Sequence, residues 1–180
     1  YIAEAQFQTT NNMASSAIPV LTEALSKEPE SVEILYTRAL AFEQIGNIDG
    51  AETDLRKILD LKPNDPDAMN ALGYTLADRT DRYQEAFVLI EKALEQKPES
   101  PAILDSMGWV LLKLGRLDQA EPHFEKAWER SKDHEIAAHY GELLWLLGRQ
   151  QDAREIWDLG YESNPESDKI RDTIQRLMNS

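Results

Sequence analysis

The stretch from Ile103 to Ala120, ILDSMGWVLLKLGRLDQA, sets a carboxylate at Asp105 beside a hydroxyl at Ser106. A serine becomes an acyl-transfer nucleophile only when a base stands ready to take its proton. Asp105 has no histidine or lysine at a recognisable spacing, so the pair does not make a catalytic set. His134 and His139 are five residues apart, about 140° around a helix, which prevents them from sharing a metal ion. His123 falls between Glu121 and Glu125 and reads as a solvated side chain. The sequence contains no cysteine, which excludes disulfides, thiolate zinc sites and cysteine nucleophiles. The expectation is a protein without catalytic residues, metal or cofactor.

The bulk chemistry narrows the partners. With 33 acidic against 19 basic residues the 180-residue chain carries a formal charge of -14. Such a surface repels phosphate backbones and anionic membranes and favours basic or neutral partners. The longest apolar run, Trp109 to Leu112, is far too short to span a bilayer. The chain opens at Tyr1 without a methionine or a signal segment, and so reads as a fragment whose targeting sequence lies elsewhere.

What positions the residues of the opening stretch is a repeat. Pro29, Pro63, Pro98 and Pro165 are separated by 34, 35 and 67 residues, close to one, one and two units of one period. The segments NDPDAMNALGYTLA and ESPAILDSMGWVLL align without a gap, matching Leu72-Gly73-Tyr74 with Met107-Gly108-Trp109. Each unit holds two helices. Ser31, Asp65 and Ser100 suit N-caps, the last two followed by proline at the first helical position, where its missing N–H is harmless. Gly46, Gly115 and Gly148 suit the left-handed residue that ends the first helix. Ala51, Ala86, Ala120 and Ala153 then recur in the second helix, with Leu55, Ile90, Phe124 and Trp157 one turn later on the same face. Ala39, Gly73, Gly108 and Gly141 recur midway along the first helix, small enough for its partner to approach closely. Six of the eight glycines fill these two slots, leaving only Gly50 and Gly160, so no phosphate-cradling loop is indicated.

This pattern resembles the tetratricopeptide repeat. The resemblance implies an all-α solenoid, a right-handed superhelix of antiparallel helix pairs closed by a C-terminal capping helix. The units read as 32–65, 66–100, 101–133 and 134–167, preceded by a truncated unit over 1–31 and followed by the cap over 168–180. Ala5, Ala17, Leu21 and Ala24 fall in register within the truncated unit, whose first helix is weak. The second unit has one extra residue in the turn ADRTDRYQEA and lacks its glycine there. That turn reads as solvated, with a contact role left open. Gly160 stands where alanine is usual, which should loosen the last unit by lowering helix propensity. Ile170, Ile174 and Leu177 form one stripe in an otherwise polar end, as a terminal cap requires.

In the family, the second, fifth, ninth and twelfth positions of each first helix line the concave face. The groove residues expected here are Tyr36, Leu40, Asn70, Tyr74, Asp105, Trp109, Leu112, Glu142 and Trp145. The wider stripe, with Glu33, Glu43, Asp67, Ala77, Ala102, Glu135 and Ala138, includes no lysine or arginine. Aromatic and acidic groups together suit a peptide or helix with apolar and basic side chains. Any single ring has a second reading, burial between repeats. Chaperone-docking relatives clamp a carboxylate with cationic slots, which here hold Tyr36, Ala102 and Ser106, so that activity is not expected. Trp128 and Trp157 belong to second helices and read as core.

The function expected is therefore a non-catalytic protein-binding scaffold. The alternative is self-assembly through exposed terminal repeats. The wording of residues 64 to 122 also resembles C-terminal repeats of long proteobacterial tetratricopeptide proteins, many of them lipoproteins, which implies a bacterial adaptor at the periplasm or outer membrane, with a cytoplasmic location as the alternative. Neither nucleic-acid binding nor membrane insertion is expected.

Overall fold

A computed structural model of the protein describes residues 14–179. The expected first helix of the truncated unit, with Ala5, lies outside these residues. Ten helices and no strand occur among the described residues: α1 (Ala14–Lys27), α2 (Val32–Gln44), α3 (Ile48–Leu61), α4 (Pro66–Arg79), α5 (Tyr83–Gln96), α6 (Pro101–Lys113), α7 (Leu117–Arg130), α8 (His134–Leu146), α9 (Gln150–Ser163) and α10 (Asp168–Met178). The fold is all-α, built from antiparallel helical hairpins. The described residues divide into two compact units, which meet in the chain at Ala93 and Leu94.

Local chemistry starts and stops these helices. Asp65 accepts from the backbone N–H groups of Asp67 and Ala68 at 3.2 and 3.0 Å, and Pro66 opens α4. Asp133 accepts from Glu135 N at 2.8 Å, and Ser167 Oγ from Ile170 N at 3.3 Å. Ser31 and Ser100 stand at N-cap positions with extended backbone, but their side chains make no capping hydrogen bond, which corrects the sequence reading. At the other end of α2, Gly46 N donates to Glu43 O at 2.9 Å and Asn47 N to Phe42 O at 2.8 Å. This paired closure needs a left-handed residue, and Gly46 supplies it at φ 75°. The turn between α4 and α5 lacks that glycine and closes through Thr80, whose hydroxyl donates to Leu76 O at 2.6 Å and accepts from Arg82 N at 3.1 Å.

The core of each hairpin is a small residue facing a large one. A Cβ added at Gly73 would meet Ile90 Cγ1 at 2.6 Å, and one at Gly108 would meet the Phe124 ring at 2.8 Å. One at Gly141 would land on the Trp157 indole. Ile90, Phe124 and Trp157 are buried in turn, each contributing about 1.5–3 kcal/mol. Trp128 is buried as well. Gly160 is also a close-approach residue: an added Cβ would collide with Ala137 Cβ and stand 2.8 Å from Ile170 Cδ1. The expectation that it loosens the last unit is thus corrected. Its missing side chain lets α8 and α10 close on α9.

Candidate functional site

In the first unit, α2 and α4 present the open part of the expected groove. Val32, Glu33, Tyr36, Thr37, Lys62, Asp65 and Asp67 line a pocket of about 380 Å³. Three carboxylates therefore share its wall with one lysine and one phenol. Burial, and then the charges of Asp67 and Asp65, push the Tyr36 hydroxyl above its ordinary range, so it remains a neutral donor. Thr37, largely buried at the pocket wall, donates its hydroxyl to Glu33 O at 2.8 Å. One turn beyond Tyr36, Leu40 is 41% exposed, high for an aliphatic side chain on a helix face with buried neighbours. Asn70 and Tyr74 are half-buried on α4, and Asn70 Oδ1 is sealed without a hydrogen-bond donor. Glu43 is bound by Arg79 at 3.3 Å.

The second unit fills its own slots. Asp105, Trp109, Leu112 and Glu142, expected to line the groove, are all buried. Trp109 stacks on His139 with centroids 4.2 Å apart and planes at 24°, and Lys113 Nζ lies 4.8 Å from its ring centroid. His139 Nδ1 stands 2.9 Å from Asp105 Oδ2. Asp105 therefore does have a histidine partner, contrary to the sequence reading. Asp105 Oδ1 and Trp109 Nε1 are sealed without partners of their own. Glu142 receives both terminal nitrogens of Arg176, at 2.9 and 2.6 Å. Trp145 is half-buried and tilts against Trp157 at 5.8 Å.

This arrangement does not assemble acyl-transfer machinery. Ser106 Oγ donates to Ala102 O at 2.9 Å, so the hydroxyl is turned into its own helix and away from the imidazole. His123 is half-buried and not solvated as expected; burial, then Lys126, lowers its pKa and keeps it neutral. His139 and Arg176 were missed as partners, yet a signal for both was available. Each lies 34 residues after its carboxylate, one repeat further along, where the next first helix stacks.

Paired helices with a small-to-large core, left-handed turn glycines and a slot pattern renewed each repeat define a helical-repeat scaffold. Its sequence matches the tetratricopeptide repeat profile over residues 11–66, 36–101 and 106–168, and the chain belongs to that family. The family is generally one of non-catalytic scaffolds that bind proteins or peptides. The chain is 46% identical to the TPR repeat-containing protein PA4667 of Pseudomonas aeruginosa over 98% of its length, and spans 30% of that relative. It is 25% identical to the Type IV pilus assembly protein PilF of the same organism over 82% of its length, spanning 59% of that protein. The solved PilF structure superposes with a TM-score of 0.75 at 22% identity, covering 98% of this chain and 86% of the other. A thermophilic TPR protein of Thermus thermophilus superposes with a TM-score of 0.85 at 20% identity, covering 99% and 97%. No helix among the described residues is long and apolar enough to cross a membrane.

Proposed function

We propose that the chain is a binding scaffold whose first unit receives an extended or helical segment of a partner protein bearing apolar and basic side chains. The observation that carries this reading is the Tyr36 pocket, where Glu33, Asp65 and Asp67 surround a neutral phenol. A lysine or arginine entering it would find carboxylates on its wall and an aromatic face for its stem. Leu40 and Tyr74 offer apolar surface for the neighbouring side chains. Of the residues buried in the second unit, Trp109 and Glu142 serve this reading only as support, while half-buried Trp145 stays available for contact.

The test is fluorescence anisotropy with two labelled amphipathic peptides of equal apolar content, one rich in arginine and one in glutamate. Wild type should prefer the arginine peptide, and Tyr36→Ala with Asp67→Asn should weaken it about tenfold or more, in the range of a truncated anchor. The far-ultraviolet circular dichroism should be unchanged. Equal affinity of both peptides, or an unaffected double variant, sinks the reading. A pull-down from an extract of the source organism, with wild type and variant side by side, would then identify the natural partner.

A second reading, self-assembly, is favoured by the outer face of α10. Met178 is 60% exposed there, beside an opening of about 440 Å³ lined with Tyr161 and Ile174. Light scattering decides it: a monomer across the concentration range removes it.

A further inference from the structure

The second unit holds a helix on an acidic seat. α10 is the only described helix with more basic than acidic residues, Lys169, Arg171 and Arg176 against Asp168 and Asp172. The helices beneath it are acidic: α8 carries Glu135 and Glu142 with no lysine or arginine, and α9 carries four acids against Arg154. The apolar side of α10 is short, with Ile170, Thr173 and Leu177 buried. Both ends are latched by polar groups. At its start His134 Nδ1 lies 2.9 Å from Ser167 Oγ, while Asn164 Nδ2 lies 3.3 Å from His134 Nε2. The amide can only donate, so Nε2 accepts and Nδ1 carries the proton to the serine that caps α10. At its end Arg176 grips buried Glu142 through two nitrogens, although the arginine side chain itself is 56% exposed.

We infer that the face formed by α8 and α9 is a docking site for a basic amphipathic helix, which α10 occupies in cis. A partner helix with an arginine at the Arg176 position and apolar groups at the Ile170 and Leu177 positions competes for this seat. Charge complementarity selects the chemistry, and the bidentate Arg176–Glu142 pair fixes the register. The inference concerns the second unit and stands independently of the Tyr36 pocket. A tethered helix acts at an effective concentration on the order of millimolar, so the seat is closed to weak competitors until α10 is loosened.

The experiment uses the whole chain and a fluorescein-labelled, amidated peptide of residues 167–179, with a second peptide carrying the R176E change. The R176E chain should bind the native peptide at least about tenfold more tightly than wild type does, because its own helix competes poorly. The E142R chain should prefer the R176E peptide. Amide exchange should quicken in α10 of the R176E chain while α8 stays protected, which separates release from unfolding. An R176E chain whose α10 remains as protected as in wild type and which binds neither peptide overturns the inference. So does equal binding of both peptides by the R176E chain. Wild-type dimers that grow with concentration and vanish in E142R would replace the foreign helix with a second copy's α10, and would equally overturn it.

Discussion

Asp105 and His139 stand 34 residues apart in the chain and 2.9 Å apart in the fold, joined carboxylate to imidazole beneath the ring of Trp109. The contact links successive first helices of the repeat, and it lies where 1% of the histidine side chain meets solvent. It is a packing element made of polar parts.

The first prediction follows from that burial. His139→Ala strands a sealed carboxylate that already has one unpartnered oxygen, and removes the ring on which Trp109 stacks. Leaving a buried polar group without its partner costs about 1–3 kcal/mol, and emptying the ring site adds a packing loss of about 2 kcal/mol or more. Asp105→Asn keeps an acceptor for the imidazole and should cost only about 1 kcal/mol. Urea unfolding followed by tryptophan fluorescence measures both, with the slope unchanged. Equal losses for the two variants would show that the polar contact is not what matters there.

Gly160→Ala reverses an expectation from helix propensity. Alanine in a helix interior is favoured over glycine by about 1 kcal/mol. At this position its methyl group would collide with Ala137 Cβ and press on Ile170, and overpacking of that kind costs about 1–3 kcal/mol. The net change should be a loss, read as a lower midpoint in thermal unfolding, with α10 amides exchanging faster. A stabilised variant would mean that α8 and α10 can move apart without cost.

The inserted turn between α4 and α5 carries an ionic lattice that can be tested with acid and salt. Arg82 binds both oxygens of Glu52 at 2.9 and 2.8 Å and also Glu85, while Arg56 bridges the same two carboxylates. Burial raises the Glu52 pKa, but the hydrogen bonds of Arg56 and Arg82 together outweigh it and leave the carboxyl below its usual range. Hydrogen bonding to Arg56, opposed by burial, with Arg82 adding to it, does the same for Glu85. Both folded values are depressed, so the contribution is present above the unfolded carboxylate value of about 4.3 and fades as pH falls through the folded one. Arg82 is 43% exposed, and Arg82→Ala should cost under about 1 kcal/mol at pH 7. The difference from wild type should shrink progressively as pH falls below the unfolded carboxylate value, and shrink also in about 1 M salt, where screening acts within about 3 Å. A difference that persists in both would assign Arg82 a packing role instead.

The hairpins were legible in the sequence because their signals are local: Asp65 with Pro66 starts a helix, and Gly46 stops one, regardless of the rest of the chain. The small-to-large pairs such as Gly108 with Phe124 were legible because the repeat displays them several times. The groove was less so. Slot position says which way a side chain points, but whether it stays open depends on what the next first helix brings to the same place. Tyr36 is half-buried and Leu40 41% exposed, so both stay at least partly open. Trp109 meets His139, and Glu142 meets Arg176, and both close. Gly160 was misjudged for a related reason, since propensity is a property of one helix and its role is set by the two packed against it.

The last prediction concerns alkaline unfolding. Tyr140 is buried, its ring 6.1 Å from Phe124, and its pKa is pushed up to about 12 by burial first and by Glu125 and Glu121 next. Its unfolded value is about 10. Because the folded value is raised, the neutral phenol contributes its full stability below the unfolded value, and that contribution is lost as pH rises through the folded one. The window is therefore about pH 10 to 12, over which two pKa units correspond to about 2–3 kcal/mol. Tyr140→Phe removes the titrating group without emptying the site. Denaturant midpoints measured at intervals across the window should fall more steeply for wild type than for the variant, by about that amount in total. Parallel curves would place the alkaline sensitivity in other groups and leave the Tyr140 hydroxyl free to ionise without disturbing the fold.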